Sequence, residues 1–137
     1  MIHKGGAGEC LAAAAAELIG SPFRLHGRDP ATGLDCVGLV YASLLRIGRL
    51  PSAPQGYRLR NSDPSRWFAF AERSGLLAVS GAVAIGDVLM VEPGPGQQHL
   101  LIAESREIAI HAHAGVGRVV RQPIDFSHDA QSHWRLS

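Results

Sequence analysis

The sequence predicts an α+β fold, with helices first and an antiparallel sheet after them. Two Ala/Leu/Val-rich segments, each closed by Gly and Pro, fill the first third of the chain. Beyond Gly75 the pattern changes to short apolar runs separated by Gly, Pro and polar turns. The two patterns follow one another instead of alternating, which argues against a parallel βαβ sheet. With 137 residues, 46% of them hydrophobic, the chain fits one domain over residues 1–137 that buries roughly two-thirds of its unfolded surface.

The elements follow in order. Glu9 to Ile19 has strong helix propensity and is stopped by Gly20-Ser21-Pro22. Phe23 to Gly33 is read as an irregular loop. Asp35 caps a second helix running from Cys36 to about Ile47, which Gly48 and Pro51 end. Pro51 to Arg60 is a surface connection. Ser62 or Asp63, followed by Pro64, starts a third helix that carries Trp67, Phe68 and Phe70 to near Gly75. These aromatics read as packing residues. Strands follow at Asp87–Val91, His99–Ala103, Ile108–Ala114 and Arg118–Arg121, with a last one at His133–Leu136. Pro93-Gly94-Pro95-Gly96 joins the first two as a hairpin loop.

Composition narrows the function. The net charge is +1 and no Lys/Arg run exceeds two residues, so nucleic-acid binding has no electrostatic footprint. The run Ala12–Ala16 has one lysine before it and Glu17 directly after it, which fits a helix of the folded domain better than an export signal. No apolar stretch approaches the length that spans a bilayer. These readings lead to the expectation of a protein made in the cytoplasm without a signal peptide. Cys10 opens an apolar helix and reads as a packing residue, so no disulfide with Cys36 is expected.

The chemistry centres on Asp35-Cys36-Val37-Gly38-Leu39. A thiol in the first turn of a helix lies near the positive end of the macrodipole and beside unpaired N–H groups. That setting is expected to lower its pKa and favour the thiolate. His99 opens a strand, where a base is easily presented, and His111 and His113, two apart in a strand, share one face. Packing the Cys36 helix on the sheet would bring thiol and imidazole together. His99 would then take the thiol proton, and a third polar group would orient its ring. His111 and His113 are both open for that third role. One Cys and three His could also ligate zinc, but no pair has the spacing of a zinc motif, and no metal or cofactor is expected. Neither glycine-rich stretch has the pattern of a phosphate cradle.

The ordered set of motifs resembles the NlpC/P60 family of cysteine peptidases, papain-like α+β domains that cleave peptides of the bacterial cell wall. Ser21-Pro22-Phe23-Arg24-Leu25 is similar to the family's "(T/S)PYR" segment, and Leu34-Asp35-Cys36-Val37-Gly38-Leu39-Val40 to its "(L/I)DCSGLV" motif. Gly86-Asp87-Val88-Leu89 resembles "GDLV", His99-Leu100-Leu101-Ile102 "HVGI", and Ile110-His111-Ala112 "(I/M)HA". The resemblance implies Cys36 as nucleophile, His99 as base and His111 as orienting residue, with Asp35 near the substrate or oxyanion. It implies the γ-D-glutamyl–meso-diaminopimelate bond of peptidoglycan stem peptides as the target. It looks most like the phage-type branch of tail-associated peptidases and gene transfer agents, which would make tail proteins partners and the cell wall the place of action. Phe23 stands where the family commonly has a tyrosine, so His26 or backbone would replace that hydroxyl. Val37 replaces a common serine, which leaves substrate preference open.

Two other readings use the same residues. The fold could serve as a non-catalytic tail-tip binding or assembly module, or the triad could act as a deamidase or acyltransferase. An intact Cys36, His99 and His111 set argues against the first, since a retired site has no chemical reason to keep all three.

Overall fold

The computed structural model describes residues 6–52, 65–92, 99–125 and 130–136. Helix α1 spans Ala7–Ala16, where Leu11 and Ala15, followed by Leu18, recur at helical spacing and are buried. It stops short of Ile19 because the chain tightens: the Leu18 and Ile19 N–H groups donate three residues back, to Ala15 and Ala16. The following residues run along the sheet. Gly20 N–H donates to the Val119 carbonyl (2.9 Å), Val119 N–H to Ser21 (2.9 Å), and Phe23 N–H to Gly117 (2.8 Å). The expected irregular loop then contains two short strands, β1 (Arg28–Asp29) and β2 (Gly33–Leu34), paired antiparallel.

Helix α2 spans Cys36–Arg46. Asp35 is its N-cap, accepting from Gly38 N–H at 2.8 Å. Val37, Leu39, Val40 and Leu44 are fully buried, and each such side chain contributes about 1.5–3 kcal/mol by leaving water. The helix ends where Gly48 adopts a positive φ of 81° and Arg49 N–H turns back to the Leu44 carbonyl (2.9 Å).

Helix α3 spans Ser65–Arg73. Its expected start, like the 53–60 part of the surface connection and the Pro93–Gly96 loop, lies outside the described residues. Trp67 and Phe70 enter the core, whereas Phe68 is 41% exposed and leans on Trp134, with ring centroids 5.6 Å apart.

The sheet has six strands: β3 (Leu76–Val79), β4 (Val88–Val91), β5 (His99–Ala103), β6 (Ile108–His113), β7 (Arg118–Pro123) and β8 (Ala130–Leu136). Their order is β3-β8-β4-β5-β6-β7, and every pairing is antiparallel. Strand β3 has no counterpart among the sequence expectations. Its pattern does not alternate, with Leu77 59% exposed on a four-residue edge strand. Strand β8 begins three residues early because Ala130 and Ser132 already pair with β4.

Period-two alternation divides the sheet into two faces. Val88, Met90, Leu100, Ile102, Ile110, Ala112, Val119 and Trp134 join α1 and α2 in the main core. Leu89, Val91, Leu101, Ala103 and Ala109 form a smaller cluster on the other face, against Val83 and Ile124. At the head of β4, Asp87 is completely buried. It accepts from Ala84 N–H (2.9 Å) and from two nitrogens of Arg135 (2.8 and 2.9 Å). This forked ion pair ties β4 to β8.

Candidate active site

Cys36 is the first residue of α2, and its position follows from three neighbours. Asp35 is only 1% exposed, and its carboxylate accepts from Gly38 N–H (2.8 Å), His26 N–H (2.7 Å) and Arg28 Nη1 (3.3 Å). A Cβ at Gly38 would collide with the Gly27 carbonyl oxygen, so only glycine lets the 27–34 hairpin lie this close to the helix. Leu34, fully buried and bridged to Phe23, fixes the approach to the cap.

The sheet supplies the other wall. Ala103 N–H donates to the Asp87 carbonyl on the β4 side, so alternation sends the N–H groups of Ile102 and Leu100 the other way, toward β6. The pairing of β5 with β6 covers Ile102↔Ile110 and Ala103↔Ala109. Beyond those pairs the Leu100 N–H is directed at the Cys36 thiol. Helix α2, which packs on both strands, thus sets its first residue beside the opening of β5, one peptide from His99.

The histidines join into a chain. His99 Nε2 is 2.9 Å from His111 Nδ1, with the rings edge-to-face at 5.0 Å between centroids. His111 Nε2 is 2.7 Å from Gln122 Oε1 on β7. His111 is buried, 8% exposed. His113 is not in this chain: its Nδ1 accepts from Val116 N–H (3.1 Å), and its ring lies 5.4 Å from that of His111. The two histidines that sequence leaves open are therefore distinguished by contact, and His111 is the one bonded to His99. Because Nε2 of His99 is engaged, Nδ1 is the nitrogen left for a thiol. Among the described residues, no hydrogen bond joins the Cys36 thiol directly to an imidazole; they meet through the His99–Leu100 peptide.

The electrostatics correct one expectation. The helix start does not hold Cys36 as a thiolate. Burial, then the Asp35 charge, push its pKa up to about 12, outweighing the opposing N–H groups of Leu100, Val37 and Cys36 itself. His99 is pushed down to about 4, by burial first and then by His111 and His113. His111 is also lowered, chiefly by burial, although its bond to Gln122 works against that. At neutral pH the resting pair is a neutral thiol and a neutral imidazole.

The remaining candidates each have contacts within the fold. Phe23 packs against the main core. His26 is exposed and in the left-handed region, φ 64°, and its backbone N–H serves Asp35. Asp35 faces the protein's own donors, so its carboxylate acts as a cap and loop anchor. Gln122 and the Leu100 amide were not foreseen. Both depend on strand register, which no local motif encodes. Among the described residues, no group of three or more His, Cys, Asp or Glu could hold a metal ion, and no helix is long and apolar enough to cross a membrane.

A cysteine at a helix start is thus set against a strand that carries a bonded histidine pair, on an α+β scaffold. Solved structures give that scaffold a family context. The chain is similar to the NlpC/P60 domain of the peptidoglycan hydrolase SagA, at 25% identity and TM-score 0.66, over 96% of this chain and 100% of that one. It is also similar to the peptidoglycan hydrolase RipB of Mycobacterium tuberculosis (22%, TM-score 0.66, 95% and 64%). The P60 domain of an antigen from M. avium subspecies paratuberculosis is a third neighbour (20%, TM-score 0.63, 95% and 94%). No family model matches the sequence, and no curated protein does. The three helices and six-stranded antiparallel sheet are the fold of these NlpC/P60 domains.

Proposed function

We propose that this protein is a cysteine peptidase of the NlpC/P60 type that hydrolyses peptidoglycan stem peptides. The observation that carries the reading is the meeting of the Cys36 thiol with the first peptide of β5, where His99 is bonded through Nε2 to His111. Three further points belong to the proposal and rest on the motif resemblance: the γ-D-glutamyl–meso-diaminopimelate bond as target, action at the cell wall, and delivery by a phage-like particle with tail proteins as partners.

A neutral resting pair implies general-base catalysis in place of a preformed ion pair. As Sγ of Cys36 attacks the carbonyl carbon, Nδ1 of His99 takes the thiol proton. The Cys36 N–H, at the helix start and beside the thiol, donates to the developing oxyanion. The imidazolium then protonates the leaving amine, which leaves a thioacyl-enzyme. Water attacks the thioester with His99 again as base, releasing the acid and restoring the thiol.

Incubation with purified peptidoglycan, followed by mass spectrometry of the muropeptides, tests this. New termini are expected with the native chain and none with Cys36→Ala. Undiminished cleavage by Cys36→Ala overturns the reading.

A further inference from the structure

We infer that Gln122 is a positioning residue of the site: through His111 it fixes the tautomer of His99, so that the nitrogen left for the thiol is the basic one. The inference rests on the peptidase reading above and extends it by a residue outside the three-residue set.

Sheet register places Gln122. In the β6–β7 pairing, His111 lies opposite Val120 and Ala109 opposite Gln122, so Gln122 is the diagonal neighbour of His111 on the same face. Its direct partner is an alanine, whose methyl leaves the amide free to lean across to the His111 ring, where Oε1 reaches 2.7 Å. Gln122 is exposed while His111 is buried. An otherwise interior imidazole thus has its far nitrogen held from the surface.

Proton logic then runs along the chain. A carbonyl oxygen only accepts, so Nε2 of His111 must carry a hydrogen and Nδ1, in the neutral ring, must be a lone pair. That lone pair accepts from Nε2–H of His99 at 2.9 Å. The neutral His99 ring therefore has its lone pair on Nδ1, the state a general base needs. If the outer group were a donor, every step would reverse and Nδ1 of His99 would already hold a proton.

The experiment combines kinetics with nitrogen-15 NMR of the native chain and three variants: Gln122→Met, Gln122→Glu and Cys36→Ala. In the native chain both His99 and His111 should give the Nε2–H signature; an Nδ1–H signature at His99 overturns the inference. Gln122→Met removes the acceptor and should mix the His111 and His99 tautomers. It should lower kcat roughly tenfold with KM unchanged, as loss of one aligned hydrogen bond predicts. Gln122→Glu, which can only accept, should restore both the signature and kcat. Native kcat and tautomers in Gln122→Met overturn the inference while leaving the peptidase reading intact. Full cleavage by Cys36→Ala overturns the peptidase reading itself, and the NMR arm then still decides whether Gln122 sets the tautomers.

Discussion

The start of α2 and the histidine chain on the sheet are two halves of one site built by opposite means. Asp35, Cys36 and Gly38 lie within four residues, and a side-chain cap, a backbone collision at Gly38 and the helix N–H groups fix their geometry locally. His99, His111 and Gln122 are 12 and 11 residues apart in sequence and meet because three strands pair in one register. The helix side is therefore intolerant of added atoms. The sheet side tolerates exchange of a side chain but not a one-residue slip of a strand, which would turn that strand's residue to the other face and break the chain.

The largest expected effect tests the helix side. Gly38→Ala forces a methyl into the Gly27 carbonyl, and backbone atoms cannot rotate out of the way as a flexible side chain can. A loss of about 3 kcal/mol is expected, read as a fall in Tm of roughly 10 °C, together with lost cleavage. Gln122→Met leaves the buried His111 N–H without its acceptor and should cost only about 1 kcal/mol. Equal melting temperatures for the two variants would break the contrast.

Acid tests the sheet side. The folded pKa of His99 is depressed to about 4 from an ordinary 6.5, so the unfolded chain binds the proton first. The stability associated with a neutral His99 is complete above about pH 6.5 and is lost as pH falls toward 4. His111 is shifted in the same direction. The His99 contribution is on the order of 2 kcal/mol, after allowance for its partial exposure. Urea unfolding at the two ends of that window should show a smaller loss in His99→Asn than in the native chain. An equal loss would assign acid sensitivity elsewhere, and cleavage by the native chain should persist well below the pH at which an ordinary imidazole charges.

The same division explains what could be read from the sequence. Helices α1 and α2, the Asp35 cap and strand β5 follow from propensity, Gly/Pro punctuation and alternation, all of which act within a few residues. Cys36, His99 and His111 stand out because their chemistry is uncommon at such positions. Gln122 does not: a glutamine in a strand reads as surface, and only the offset between β6 and β7 aims it at His111. The neutrality of Cys36 was equally hidden. A helix start alone points to a thiolate, and the burial and the buried Asp35 charge that reverse this are tertiary facts.

The smallest effect isolates that reversal. Asp35 stabilises the helix as a cap, yet its charge is the second cause, after burial, of the raised Cys36 pKa. Asp35→Asn separates the two actions, because the amide oxygen can still accept from Gly38 N–H while the negative charge is gone. Removing a nearby anion favours the thiolate, so alkylation of Cys36 by iodoacetamide at about pH 8.5 should quicken by roughly three- to ten-fold. Cys10 in α1 provides the internal reference, since its rate should not change. The variant also takes an ionic partner from Arg28 and turns an amide NH2 toward the His26 N–H that Oδ2 of Asp35 accepts from, so circular dichroism must show α2 retained. An unchanged Cys36 rate would mean that burial alone sets the thiol. A slower one would mean that the cap, and not the charge, is what Asp35 contributes to the nucleophile.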